Sequence, residues 1–159
     1  MKETEVKIRV KENKLEGIAS FFGNPEYFNQ TNLIYQNRAG FLRLRQEKGN
    51  TVITYKGERI KDKFGSREEI EISLEGEEQF KVLRKIFGKI GMNETLYYDK
   101  NRAQFNFGQC RIFLDCTQKG YFVEIEAKNS KNIEKAMTFF GLEEKDIEKR
   151  SYQEILKNG

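Results

Sequence analysis

Glu3-Thr4-Glu5-Val6-Lys7-Ile8-Arg9-Val10 decides the fold, because it alternates between charge and hydrocarbon. Glu3, Glu5, Lys7 and Arg9 share one face; Val6, Ile8 and Val10 share the other. A period of two is the repeat of a β-strand, whose successive side chains point to opposite sides of the sheet. The pattern returns along the chain. Arg43 and Arg45 alternate with Leu42 and Leu44. Thr54 and Lys56 alternate with Ile53 and Tyr55. Arg67, Glu69 and Glu71 share a face opposite Ile70 and Ile72. Lys100 and Arg102 share a side of another strand, Asp115 stands between Leu114 and Cys116, and Glu124 and Glu126 alternate with Val123 and Ile125.

Strands are therefore expected at 3–10, 33–36, 41–47, 51–56, 67–74, 95–105, 110–116 and 121–127. Three segments switch to helical spacing. Residues 14–22 carry Leu15, Ile18, Ala19 and Phe22 on one stripe, residues 78–90 carry Phe80, Leu83, Phe87 and Ile90, and residues 131–140 follow Ser130 as the expected N-cap. A short helix closes the chain near Ser151-Tyr152. The order is strand, helix, three strands, the same again, then helices. It is a weak internal repeat of residues 3–56 and 67–126, joined by a polar, basic loop at 57–66.

Composition narrows the chemistry. The 159 residues fit one domain, with 37% hydrophobic and 34% charged residues interleaved rather than blocked, so the chain is not disordered. The formal net charge of +4 is too mild to demand nucleic acid, and the basic loop lacks the interleaved aromatics that stack bases. No apolar run is long enough to span a membrane, and the charged start Lys2-Glu3-Thr4-Glu5 reads as cytoplasmic. On one strand Cys110 and Cys116 would lie roughly 20 Å apart, too far to bridge. There is no histidine, which removes the usual zinc ligand and catalytic base. A metal would have to be held by carboxylates, which suits a hard ion such as Mg²⁺ or Mn²⁺.

A half-exposed antiparallel sheet would also carry charge on its outer face. Three features favour a closed barrel with a charged interior instead. Nearly every strand carries charge on that face. The acids come as pairs two residues apart, and the bases cluster on other strands. Closure removes the sheet edges and leaves the apolar sides outward, under helices. Charges enclosed this way need counter-charges and a ligand. Paired carboxylates can hold a cation with help from a neighbouring strand, while Lys and Arg grip phosphate oxygens. A triphosphate carrying divalent metal suits such walls. The fold class is α+β: a closed antiparallel eight-stranded β-barrel, or tunnel, with helices outside.

The residues also resemble a known family. Glu3-x-Glu5-x-Lys7 resembles the ExExK signature of the CYTH superfamily, the triphosphate tunnel metalloenzymes. Leu42-Arg43-Leu44-Arg45, Ile53-Thr54-Tyr55-Lys56-Gly57, Arg67-x-Glu69-x-Glu71, Lys100-x-Arg102, Leu114-Asp115, Gly120-Tyr121-Phe122-Val123-Glu124-Ile125-Glu126 and the terminal Ser151-Tyr152 resemble its later motifs, in order. The chain looks most similar to the short class IV adenylyl cyclase-like branch, departing from it at Asn32, where that branch carries Asp. The resemblance implies metal ligands among Glu3, Glu5, Glu71, Asp115, Glu124 and Glu126. It implies a phosphate grip of Lys7, Arg43, Arg45, Lys56, Lys100 and Arg102, with Glu5, Lys7, Arg43 and Lys56 catalytic and Arg9, Arg67 and Glu69 as wall residues. It further implies two Mg²⁺ or Mn²⁺ ions, conversion of ATP to 3′,5′-cyclic AMP and pyrophosphate, and an isologous homodimer. The alternatives are hydrolysis of inorganic, thiamine or nucleoside triphosphates, or phosphate binding without catalysis.

Overall fold

Each alternating segment forms a strand, and each helically spaced segment forms a helix. The computed structural model describes residues 2–38, 40–61, 64 and 67–157, with the side chains of Lys2, Glu3 and Asn37 excepted. The elements run β1 (Lys2–Val10), α1 (Glu12–Phe21), β2 (Phe28–Asn37), β3 (Gly40–Glu47), β4 (Asn50–Gly57) and β5 (Arg67–Glu75). They continue with α2 (Glu78–Lys89), β6 (Glu94–Phe107), β7 (Cys110–Thr117), β8 (Gly120–Ala127), α3 (Ser130–Phe139), a 3₁₀ turn (Glu144–Asp146) and α4 (Tyr152–Lys157). No helix among the described residues is long and apolar enough to cross a membrane.

The strands close into a barrel in the order β1-β5-β4-β3-β2-β6-β7-β8, with β8 returning to β1. The internal repeat is thus built as an interlocked pair. The first strand of each half pairs with the last strand of the other, β1 with β8 and β5 with β4. Equivalent strands meet at the two seams. The β2–β6 seam runs from Phe28↔Arg102 to Tyr35↔Glu94, whereas the β1–β5 seam has only Lys2↔Glu68 and Glu3↔Arg67. Beyond Glu3 the C-terminal chain takes the edge of β1. Ile147 bridges Ile8, and the Glu148 amide donates to the Lys7 carbonyl at 2.7 Å.

The apolar core lies outside the barrel. α1 and α3 cover the β1, β7 and β8 faces, burying Ile8, Ile112, Leu114, Ile125 and Ile133 completely. Each such side chain contributes roughly 1.5–3 kcal/mol of burial. α2 sets Phe80 against Leu33, Tyr35 and Leu44 on the other half. A third cluster plugs one end of the lumen, where Tyr152 and Ile155 of α4 meet Phe122. Gly40 crosses β4 so closely that a Cβ there would stand 2.2 Å from the Lys56 carbonyl oxygen.

Three local expectations change. β2 begins at Phe28, well before 33, because Gln30 and Asn32 face the lumen and give the strand no apolar alternation. α1 begins two residues before the expected 14. The α3 cap is Asn129, not Ser130: its extended backbone brings Oδ1 within 3.0 Å of the Asn132 amide. Cys110 and Cys116 lie on β7 as free thiols.

Candidate active site

Period two fixes the interior. On β1 the residues Glu5 and Lys7 turn inward while Val6 and Ile8 join the outer core. Adjacent strands supply Arg43 and Arg45, Lys56, Arg67, Glu69 and Glu71, Lys100 and Arg102, and Glu124 and Glu126. All line one cavity of about 440 Å³, within the usual range of roughly 300–1,000 Å³ for ligand sites. Among the described residues nine basic and six acidic side chains line it, an excess of three positive charges. The side chain of Glu3 lies outside the described residues, although its backbone holds the β1–β5 seam.

Two clusters organise the walls. The first surrounds Asp115, which is fully buried. It accepts hydrogen bonds from Lys100 Nζ at 2.8 Å, Arg102 Nε at 2.6 Å and Tyr152 Oη at 2.6 Å. Arg102 also bonds Glu124. The Tyr152 ring lies under both Lys7 and Lys100, whose Nζ atoms are 4.1 and 4.2 Å from its centroid. The second cluster joins Lys56 to Glu69 at 2.6 Å and Arg67 to both Glu5 (3.0 Å) and Glu69 (3.3 Å). Between them Arg43 Nη2 donates to Thr54 at 3.1 Å, and Thr54 donates to Glu71 at 2.8 Å. Arg45 Nε donates to Asn32 at 2.8 Å. Asn32, which departs from the family pattern, therefore orients Arg45.

Asp115, expected among the metal ligands, has its carboxylate occupied by three cationic or hydroxyl donors. Its geometry is that of an anchor for Lys100 and Arg102. Arg9 does not stand in the wall around the cavity. Its guanidinium packs over Phe122, 4.6 Å from the ring centroid, and donates to the Lys119 carbonyl. Arg67 and Glu69 are wall residues as expected. Sequence reasoning missed Arg111, which pairs with Glu126 at 2.8 Å, and the loop residue Arg59, 3.8 Å from Glu5. Arg111 shares the parity of Asp115 on β7, but Phe113 between them masks the polar face. Arg59 follows no period at all.

The electrostatics are unbalanced in two opposite senses. Burial, reinforced by Arg102, lowers the Lys100 ammonium to about 7 against the pull of Asp115. Burial, with Arg43 and Arg102, lowers Arg45 to about 10. Burial also lowers Lys7 and Lys56. Each has a carboxylate partner, Glu69 for Lys56 and Asp115 for Lys100 among them, and burial outweighs it. Arg43 Nε is buried with no hydrogen-bond partner, an orphan donor in the wall. Conversely, burial and then Glu5 push the Glu126 carboxyl up to about 7, opposed by Arg111. Glu5 and Glu124 remain lowered: burial pushes both up, but Lys56 and Arg67 outweigh it at Glu5, as Lys100 and Arg102 do at Glu124.

Glu5, Glu124 and Glu126 repel one another from adjacent strands, and Glu5 is the direct cross-strand partner of Glu126. That donor set fits a hard divalent cation. Among the described residues no three acidic or thiol groups already converge in ligating geometry. Glu5, Glu124 and Glu126 are held by Arg67, Arg102 and Arg111, so they would have to turn from these partners. Glu71 stands apart from the trio, half-exposed on the Arg43–Thr54 wall.

A closed antiparallel barrel with a charged, ligand-sized lumen defines a triphosphate tunnel. The CYTH domain matches residues 1–152, and the chain belongs to that family, the triphosphate tunnel metalloenzymes. A Methanocaldococcus jannaschii protein provisionally named an adenylate cyclase is 30% identical over 168 residues, covering 99% of this chain and 89% of the relative. A conserved hypothetical protein of Pyrococcus furiosus shares the fold with a TM-score of 0.83 at 22% identity, covering 96% of this chain and 99% of the other. A Hippeastrum protein described with a dominant triphosphatase activity has a TM-score of 0.65 at 15% identity, covering 89% of this chain and 88% of the other.

Proposed function

We propose that the protein is a metal-dependent enzyme that processes a triphosphate in its tunnel, and that the reaction is conversion of ATP to 3′,5′-cyclic AMP and pyrophosphate. The observation that carries the triphosphate reading is the paired imbalance of the lumen. Burial disfavours the charged forms of Lys7, Lys56, Lys100 and Arg45 even with their carboxylate partners, beside an orphaned Arg43 Nε, and disfavours the charged form of Glu126 even with Arg111, so the cations would gain from an anion and Glu126 from a cation. A metal-bound triphosphate supplies both at once. The provisional name of the Methanocaldococcus relative supports the choice of cyclisation. Hydrolysis of the terminal phosphate is the second reading, favoured by charged walls around most of the cavity and by the activity described for the Hippeastrum protein.

In this reading Glu5, Glu124 and Glu126 hold Mg²⁺ or Mn²⁺, with Glu3 and Glu71 as further donors. Bound there, the ions neutralise phosphate charge and lower the pKa of an attacking oxygen. Arg43, Arg45 and Lys56 grip the chain from β3 and β4, while Lys7, Lys100 and Arg102 grip it from β1 and β6. Asp115 and Tyr152 hold the last three in place. In cyclisation the ribose 3′-oxygen bonds to the α-phosphorus, the α–β bridging bond breaks, pyrophosphate leaves and the hydroxyl proton is released. Fixed cations around the departing pyrophosphate stabilise charge as it forms. In hydrolysis a water oxygen bonds to the terminal phosphorus, the bond from that phosphorus to the bridging oxygen breaks, and orthophosphate and the shortened phosphate chain leave. Incubation with ATP and, separately, inorganic triphosphate and thiamine triphosphate, with Mg²⁺ and Mn²⁺, followed by phosphorus NMR tests the proposal. Cyclic AMP with pyrophosphate supports cyclisation, orthophosphate supports hydrolysis, and no turnover of any triphosphate, thiamine triphosphate included, overturns the enzymatic reading.

A further inference from the structure

The barrel wall carries a slot beside β1. Beyond Glu3 that strand has no ladder partner on β5 among the described residues. Two segments cross the gap. The strap from Ile147 to Arg150 is tied to β1 by the Glu148 amide on the Lys7 carbonyl and by Lys7 Nζ on the Arg150 carbonyl at 3.0 Å. Residues 58–61, which follow β4, are tied to the strap where Arg59 Nη1 donates to the Lys149 carbonyl at 2.5 Å. Between them lies a second cavity of about 210 Å³. Val6, Ile60, Phe64 and Ile147 give it apolar walls. Glu5, Lys7, Arg59 and Glu124 line both this cavity and the tunnel. Val6 faces outward and its neighbours face inward, so the cavity straddles the edge of β1.

We infer that this side cavity is the subsite for the uncharged organic part of an organic triphosphate, a single flat ring system such as a nucleobase or another heteroaromatic ring. The inference rests on the proposed function and deepens it by assigning a place beside β1 to the organic part of the substrate. Inorganic triphosphate has no use for apolar walls, which favour an apolar surface by excluding water from it. The volume falls below the usual roughly 300–1,000 Å³ of complete ligand sites, as suits one moiety whose charged remainder sits in the tunnel. Ile60 is 51% exposed at the end of this wall, an apolar side chain that a ring would cover. Arg59 marks the junction, its Nη2 3.8 Å from Glu5 and its side chain one-third exposed. A ring in the slot therefore delivers its first phosphate to Arg59 and Lys7, beside the carboxylates proposed to hold metal.

Ile60→Asn and Ile60→Trp test the subsite without altering charge. Isothermal titration with Mg²⁺ would compare inorganic triphosphate with ATP, GTP, CTP, UTP and thiamine triphosphate on wild type and both variants. We expect at least one organic triphosphate to lose fivefold or more in affinity in both variants, while inorganic triphosphate changes by less than twofold. If inorganic triphosphate binds and no organic triphosphate does, or if organic and inorganic ligands weaken together, or if neither changes, the side cavity is not the subsite and the tunnel reading stands. If wild type binds neither inorganic triphosphate nor any organic one, the proposed function itself has failed.

Discussion

Asp115→Asn separates an anchor from a metal ligand. The carboxylate is fully buried and accepts from Lys100 at 2.8 Å, from Arg102 at 2.6 and 2.5 Å and from Tyr152 at 2.6 Å. An asparagine keeps the shape, but either orientation of its amide turns an NH₂ group toward at least one of these donors. It also removes the charge opposing two buried cations. Breaking a buried ion pair by removing one partner costs about 3–5 kcal/mol. Lys100 is already held at about 7, so it can shed its proton and relieve part of this loss. The lower end, about 3 kcal/mol, is the expected result at about pH 6, where Lys100 is still charged in the wild type. For a chain of this length that corresponds to a fall in Tm of roughly 6–12 °C. Urea unfolding followed by circular dichroism measures it, with the slope unchanged. Stabilisation by added Mg²⁺ should persist in Asp115→Asn, because the carboxylates proposed to hold metal are intact. A loss below about 1 kcal/mol, or a variant that no longer gains stability from Mg²⁺ while remaining folded, would refute the anchor role and return Asp115 to the ligand set.

Glu5→Gln and Glu126→Gln should each fold as wild type yet lose metal-dependent turnover and the thermal stabilisation given by divalent ions; activity retained in both removes them from the metal site. Lys56→Ala, which deletes a buried ammonium paired with Glu69 at 2.6 Å, should weaken inorganic triphosphate binding about tenfold, and unchanged affinity takes Lys56 out of the grip. Hydrogen bonds from Arg150 hold the Glu148 carboxyl at about 2 against an ordinary 4.5, overcoming partial burial. Its folded pKa is depressed, so its stabilisation is present above pH 4.5 and disappears as pH falls toward 2. Glu148→Gln should flatten the stability curve over that window, and a curve as steep as wild type denies the strap that contribution.

The fold was legible where lumen and core alternate strictly. β1, β3, β5 and β8 alternate charge with hydrocarbon, and Glu5, Lys7, Arg43, Arg45, Arg67, Glu69, Glu71, Glu124 and Glu126, read from that alternation, line the tunnel. β2 was truncated in the reading because its inward residues are Gln30 and Asn32, polar but uncharged, and its Asn29 and Thr31 are polar on the other side as well. Arg111 was lost for the converse reason: Phe113 faces the lumen, where Arg102 packs over its ring at 4.3 Å, and an aromatic inside the tunnel looks like a core residue in sequence. Period two reports which side a residue faces. It does not report whether that side is filled by charge or by a ring.

Asp115 and the slot show a different limit. Sequence puts Asp115 on the polar face with the other acids, and nothing local distinguishes its role from theirs. What distinguishes it is its partners: Arg102 from the neighbouring strand, Lys100 one rung further, and Tyr152, which arrives from α4 after the chain has crossed the end of the barrel. Three donors from two other elements occupy this one carboxylate. The slot likewise exists only because β1 and β5 separate after two residue pairs and two distant segments, 57–61 and 147–150, meet over the gap. Neither meeting leaves a mark in local spacing, since each depends on where the barrel closes. The strands determine which side chains the lumen offers, and the crossings outside the strands determine which carboxylates are already paired and where the lumen opens to the side.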